Sequence, residues 1–415
     1  MLTFCYIIIL LLTHLSQAER GHAQSHHEKK PEGFNYYEEM MDIITNKGFT
    51  EATFKWMRDS MDHWKKTDLH VAMIGESGAG KSAFINAALD LDETDPRAAK
   101  VGVVETTREP APYKLPDKPL TLWDLPGVGT ASFPKETYLR QIKFRRYEFF
   151  IIVSSTRFSE NDLWLAKAIQ QENKKFYFVR SKIDIDIYNS RRQRVPSEEV
   201  LRQVYENCHE TLSRGGFANV PVFLISNYDP NDWDFQKLMR QLINDVPEKK
   251  REALVLSIAA TGEEAIRAKR EALESRIWVA SGLASAGVLV PVPGTSIAAN
   301  FAVLLYEVSF YEEQFGLNQH LKSDLFFKGG CLRGTTLSSL ATKKGMTELI
   351  KKIVINKGPQ TLFAEAARWI PLAGTAVSAA ITFATTYHAL HCILDTFEQE
   401  ALNNLMTKTA FHDEL

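Results

Sequence analysis

Leu69-His-Val-Ala-Met-Ile74, then Gly75-Glu76-Ser77-Gly78-Ala79-Gly80-Lys81-Ser82, then Ala83-Phe-Ile-Asn-Ala-Ala-Leu89 read in succession as strand, glycine-rich loop and helix. The spacing G-x-x-x-x-G-K-[ST] lets consecutive backbone N–H groups curl around a phosphate. The helix N-terminus behind them adds the positive end of its dipole. Lys81 is expected to reach the β- and γ-phosphates, and the Ser82 hydroxyl to ligate Mg²⁺. A glycine turn before an ordinary helix is the competing reading, and the strand and helix on either side argue against it. The fold this predicts is α/β: a P-loop domain with a doubly wound, mostly parallel sheet.

Pro119-Leu-Thr-Leu-Trp-Asp124-Leu-Pro-Gly127 places a carboxylate at the end of a β-rich run. Asp124 is the expected Mg²⁺ partner. Gly127, having no Cβ, brings its backbone N–H close to the γ-phosphate and makes this loop the candidate switch II. Between the two motifs lies Gly102-Val-Val-Glu105-Thr-Thr107, where Thr107 is favoured over Thr106 as the switch I residue closing on Mg²⁺ and the γ-phosphate. An exposed threonine pair in a strand is the alternative.

Three further apolar runs, Phe149 to Val153, Phe176 to Val179 and Val220 to Ile225, read as buried parallel strands. The second leads into Ser181-Lys182-Ile183-Asp184 and the third into Ser226-Asn227. A carboxylate at Asp184 accepts hydrogen bonds from guanine N1–H and N2–H₂, and adenine offers neither donor. The predicted nucleotide is therefore GTP or GDP, contacted by Gly75 through Ser82 and by Lys182, Asp184, Ser226 and Asn227. An ATPase is disfavoured by Asp184. All these motifs fall at strand ends, where α/β sheets bind ligands.

The chain resembles the immunity-related, interferon-inducible GTPases. The resemblance rests on Gly75 to Ser82, Gly102-Val-Val-Glu105, Leu122-Trp-Asp-Leu-Pro-Gly-Val-Gly129, Phe149 to Phe158, Phe176-Tyr-Phe-Val-Arg-Ser-Lys-Ile-Asp184 and Arg276-Ile-Trp278, spanning Phe34 to Leu394. It implies a dynamin-like GTPase of low nucleotide affinity that oligomerises with GTP and acts on membranes in cell-autonomous defence. It also implies a face-to-face dimer of G domains, in which Glu105 matches the family's switch I glutamate and positions the attacking water in cis or across the dimer. A solvated surface glutamate is the alternative for Glu105. Independently of the resemblance, Val128 follows Gly127 where a glutamine would orient water, so a monomer is expected to hydrolyse GTP slowly. The residues expected to act on the reacting phosphate are Lys81, Glu105, Thr107 and Gly127. A non-catalytic, GTP-regulated scaffold or membrane coat is the competing function.

The 415 residues are 45% hydrophobic and 24% charged with a formal net charge of -2, a balance that argues against a nucleic-acid partner. The expected organisation is a signal peptide at 1–18, a polar linker at 19–33, N-terminal helices at 34–65, the G domain at 66–245, a helical domain at 246–411 and a retrieval signal at 412–415. The helical domain is expected to draw on both chain termini. His26 and His27 lack further ligands at metal spacing and belong to the linker. Met1 to Ala18 has an apolar stretch of signal-peptide length, and His412-Asp-Glu-Leu415 matches an endoplasmic-reticulum retrieval signal. Together they predict the endoplasmic reticulum, lumen or membrane, with the cytosolic face of intracellular membranes as the alternative. Cys5, Cys208, Cys331 and Cys392 suggest no disulfide framework, and no N-x-[ST] sequon is present. Ile277 to Tyr306 and Phe363 to Leu394 are apolar, rich in small residues and broken by Pro-Gly. They read as a closely packed helical core or as membrane contact.

Overall fold

A computed structural model describes residues 51–102, 109–130, 132–286, 295–317, 327, 329–340, 342–357 and 375–413. Two compact units emerge: one runs from Lys65 to Ala265, the other joins the chain before Lys65 to the chain from Ile266 onward.

The first unit is built on a sheet that has six strands among the described residues. Its strands are β1 (Leu69–Ile74), β2 (Ala111–Tyr113), β3 (Leu120–Asp124), β4 (Phe149–Ser154), β5 (Lys175–Arg180) and β6 (Val222–Leu224), in the order β2-β3-β1-β4-β5-β6. All neighbours are parallel except β2 on β3. The central strands are apolar on both faces because helices cover both. Ala72, Ile74, Phe150, Ile152 and Phe178 thus join one buried cluster with Leu165 and Ile169. β3 and β4 flank β1 on opposite sides, so the direction of strand addition reverses there. The crevice beyond the C-terminal ends of β1 and β4 is the switch point at which such sheets hold ligands.

The helices of this unit include α2 (Lys81–Leu89), α3 (Lys135–Gln141), α4 (Glu160–Gln171), α5 (Ile183–Ser190), α6 (Ser197–Arg214), α7 (Phe235–Asp245) and α8 (Glu248–Val255). The unit continues past the expected boundary at Asp245. Lys250 on α8 pairs with Glu148 at 2.6 Å, Leu254, Val255 and Leu256 are buried, and Ala259 N–H donates to the Ala88 carbonyl at 3.2 Å. The charged run Glu248 to Glu252, expected to mark the exit, is the first, partly exposed half of a helix whose remaining residues, Ala253 to Val255, are core. Cys208 on α6 is buried, and burial pushes its thiol up to about 11, which leaves it an inert packing residue.

The second unit is helical: α1 (Glu51–Met61), α9 (Glu263–Ala286, entering at Ile266), α10 (Thr295–Gln314), α11 (Leu337–Leu340), α12 (Lys343–Lys357) and α13 (Thr375–Asp413). Trp278 on α9 packs against Phe383 and Tyr387 on α13, with ring centroids 5.6 and 4.8 Å apart. At its centre the Arg276 guanidinium, 1% exposed, pairs with Glu307, 0% exposed, at 3.0 Å. It also donates to the Met61 carbonyl of α1 and lies 4.3 Å from the Phe310 ring centroid. Among the described residues no helix is long and apolar enough to cross a membrane. The Pro-Gly breaks near Pro293 and Pro371, the signal-like segment and linker, and the last two residues lie outside the described residues.

The expectation about cysteines is corrected here. Cys331 and Cys392 form a disulfide, Cα to Cα 6.1 Å across 61 residues of chain. The pair fastens onto α13 a loop whose ends meet where Gly334 N–H donates to the Phe327 carbonyl at 2.9 Å, beside Phe327 stacked on Phe397. Spacing along the chain carries no trace of such a pairing. Both cysteines line an open cavity of about 890 Å³ with Phe327, His388, His391 and Asp395.

Candidate nucleotide-binding site

The loop from Gly75 to Gly80 leaves β1 and must pass hard against β4. A Cβ on Gly75 would sit 2.0 Å from the Val153 carbonyl oxygen, and the residue holds φ +146, so only glycine fits. Gly80 at φ +94 turns the chain into α2, whose first N–H groups have no side-chain cap and face the loop. Lys81 folds back under the loop and is 6% exposed. Its Nζ donates to the Gly75 carbonyl at 3.1 Å and the Glu76 carbonyl at 3.0 Å. Glu76, Ser77 and Gly78 form the exposed rim and Ala79 is buried.

Ser82 at the start of α2 and Asp124 at the end of β3 meet: the serine hydroxyl donates to Asp124 Oδ2 at 2.6 Å. Two oxygens held together by a strand end and a helix start are a hard donor set suited to a divalent cation. Gly127 lies against the loop, the Cβ it lacks being 3.4 Å from the Gly75 carbonyl oxygen. Its approach is fixed by a residue that the sequence did not signal. Tyr138 on α3 is buried and donates to the Pro126 carbonyl at 2.8 Å, and burial pushes its phenol well up, keeping it a donor. Val128 is 9% exposed, and its only polar atoms are backbone. Behind this loop, Ser159 and Asp162 form a reciprocal capping box at the start of α4. Burial raises the Asp162 carboxyl while its bonds from Ser159 oppose the shift.

The loops after β5 and β6 are tied to the phosphate-loop backbone. Ser181 Oγ donates to the Ala79 carbonyl at 2.6 Å, and Asn227 Nδ2 donates to the Gly80 carbonyl at 3.0 Å. Lys182 caps α5 in the left-handed region at φ 61, and Asp184 sits half-buried in the first turn of that helix. Ser226 is fully buried and organises its own turn, donating to Asp229 at 3.0 Å. The sheet therefore gathers Gly75 to Ser82, Asp124, Gly127, Ser181, Lys182, Asp184, Ser226 and Asn227 at one edge. Glu105 and Thr107 lie outside the described residues, so their placement is not part of this geometry.

The model of the interferon-inducible GTPase family matches residues 37–408, nearly the whole chain. The chain belongs to the interferon-inducible GTPases. Similar relatives include interferon-inducible GTPase 5 of Rattus norvegicus, 35% identical over 355 residues, covering 83% of this chain and 76% of the relative. Interferon-gamma-inducible GTPase 10 of Mus musculus is 32% identical over 85% of this chain and 84% of its own. Interferon-inducible GTPase 1 of Mus musculus is 38% identical over 68% of this chain and 69% of its own. Among solved structures, Era of Aquifex aeolicus bound to GDP.AlF4- aligns over 49% of this chain at 18% identity with a TM-score of 0.29. At that score the fold assignment rests on the strand order and the family, not on the likeness. This interferon-inducible GTPase is thus a GTP-binding hydrolase with a P-loop α/β domain and a helical unit.

Proposed function

We propose that this interferon-inducible GTPase hydrolyses GTP slowly as a monomer and faster when two G domains associate, and that it couples this cycle to a membrane in cell-autonomous defence. The observation that carries the slow step is Val128. It follows Gly127 in the loop that would face the γ-phosphate, and it is a buried aliphatic side chain that cannot orient water. A second group has to supply that function, and Glu105 is the candidate, in cis or from a second copy. Lys81 provides a positive charge beneath the phosphates, α2 provides its N-terminal dipole, and the Gly127 N–H senses the γ-phosphate. Ser82, Asp124 and Thr107 would hold Mg²⁺, which when bound neutralises charge on the phosphate oxygens. Asp184 would select guanine.

Single-turnover hydrolysis across a hundredfold range of protein concentration tests the reading. The rate per site is expected to rise by about tenfold or more, and Glu105→Ala to abolish that rise while leaving GTP affinity within a few-fold. A flat rate unaffected by Glu105→Ala would favour a GTP-regulated scaffold or membrane coat instead.

We further propose the lumen of the endoplasmic reticulum as the compartment. The terminal strings Met1 to Ala18 and His412 to Leu415 support it. So does the Cys331–Cys392 pair, whose Cα separation lies within the disulfide range, because such bonds persist in oxidising compartments. In sealed microsomes the G domain is expected to resist protease until detergent is added, and alkylation before reduction is expected to leave Cys331 and Cys392 unlabelled. Digestion without detergent, with both cysteines alkylated, would assign the chain to the cytosolic face.

A further inference from the structure

We propose that Arg180 is the positioning residue for guanine recognition, acting through Asp186 and the Ser181 carbonyl to hold Asp184 in register. This rests on the reading of Asp184 as the guanine-selecting carboxylate, and the experiment below separates the two.

Arg180 ends β5, where Ser154 and Leu224 flank it in the sheet and its own carbonyl accepts from Ile225 N–H at 2.9 Å. Its side chain is 6% exposed. A guanidinium in such a place is costly, and for stability alone an apolar residue of similar volume serves as well or better. The charge is instead spent on the next turn of chain. One terminal nitrogen donates to Asp186 Oδ2 at 2.5 Å, and the other donates to the carbonyl of Ser181. Those two acceptors bracket Lys182, Ile183 and Asp184. The fork therefore spans the segment that turns through the left-handed Lys182 and starts α5.

That segment needs a brace. Lysine in the left-handed region is a backbone state that L side chains rarely adopt, and α5 has no side-chain cap. Asp184 and Asp186 also repel one another across the same turn. Burial raises the Asp186 carboxyl and the Arg180 charge opposes the shift. Without Arg180, Asp186 would be a half-buried anion beside a second anion, and the turn would relax by moving Asp184. Two hydrogen bonds to a planar base edge tolerate little displacement, so the loss should fall on base recognition. The phosphate loop keeps its own ties through Lys81 and Asn227.

The test compares GDP with IDP, which lacks the 2-amino group and so lacks one of the two donors to Asp184. Wild-type protein is expected to prefer GDP by roughly tenfold, the worth of one hydrogen bond to a charged group. Arg180→Gln is expected to collapse that preference to about twofold while IDP affinity changes less than threefold. Arg180→Lys, which keeps a cation for Asp186 but not the fork, should fall between. Asp186→Asn, half-exposed and mild, should act in the same direction if Arg180→Gln fails to fold. Loss of GDP and IDP affinity in equal proportion, or an unchanged preference in both Arg180→Gln and Asp186→Asn, would overturn the assignment. A wild-type protein that binds GDP, IDP and ADP alike would instead remove the guanine reading of Asp184, and this inference with it.

Discussion

Lys81→Ala is expected to raise the dissociation constants for GDP and GTP by two orders of magnitude or more while leaving the circular dichroism spectrum unchanged. The ammonium is buried inside the loop formed by Gly75 to Gly80, held by the Gly75 and Glu76 carbonyls at 3.1 and 3.0 Å. A charge-assisted hydrogen bond is worth about 1.5–3 kcal/mol, and two such bonds to phosphate oxygens amount to about 3–6 kcal/mol. At 1.4 kcal/mol per tenfold, that is roughly 10² to 10⁴ in affinity. The fold should survive, because Glu76 lies on the exposed rim where water can reach its carbonyl, and the loop keeps its ties from Ser181 to the Ala79 carbonyl and from Asn227 to the Gly80 carbonyl. Calorimetric titration with GDP gives the answer directly, and an affinity within threefold of wild type would mean that the phosphates bind elsewhere.

The second large effect belongs to the helical unit. Glu307→Leu leaves the Arg276 guanidinium buried without its carboxylate partner, and removing one member of such a pair costs about 3–5 kcal/mol. For a unit of this size that corresponds to a fall of roughly 10 °C in its melting temperature. The double variant Arg276→Met with Glu307→Leu removes both charges, and it is expected to recover most of the loss or to exceed wild type. A thermal melt of the full chain, with and without GDP, distinguishes this unit from the G domain, because GDP stabilises only the unit that binds it. A single variant that melts within 2 °C of wild type would show that water already reaches Arg276.

The sequence exposed those parts whose chemistry constrains consecutive residues. The Gly75 to Ser82 loop is legible because phosphate contact demands glycine at fixed offsets, and β1, β4 and β5 because strands buried on both faces must be apolar throughout. β2 was not legible: it is three residues with Pro112 at its centre, a strand whose one neighbour among the described residues is β3. The end of the G unit was misplaced for a related reason. Glu248 to Glu252 presents its charges in an unbroken run, and only the packing reveals that Ala253 to Leu256 are core. Tyr138, Asp186 and the Cys331–Cys392 pair act across the fold, where no local pattern records them. Asp184 was legible as a carboxylate at a strand end, whereas the bonds from Arg180 to Asp186 and to the Ser181 carbonyl leave no mark in the sequence.

The helical unit is divided along the chain, with the G unit inserted between its parts. Lys65 to Ala265 is continuous, so on a ribosome the G unit is complete once Ala265 has emerged. The helical unit is not: α1 is made first, yet its partner Arg276, which grips the Met61 carbonyl, lies 215 residues downstream, and α13 comes later still. At about 5–20 residues per second, the nascent α1 waits on the order of ten seconds or more with Met57 and Met61, both buried in the finished protein, facing water or a chaperone. A chain cut short after the G unit would thus leave a folded nucleotide domain carrying a sticky, unpartnered helix at its front, a natural substrate for quality control.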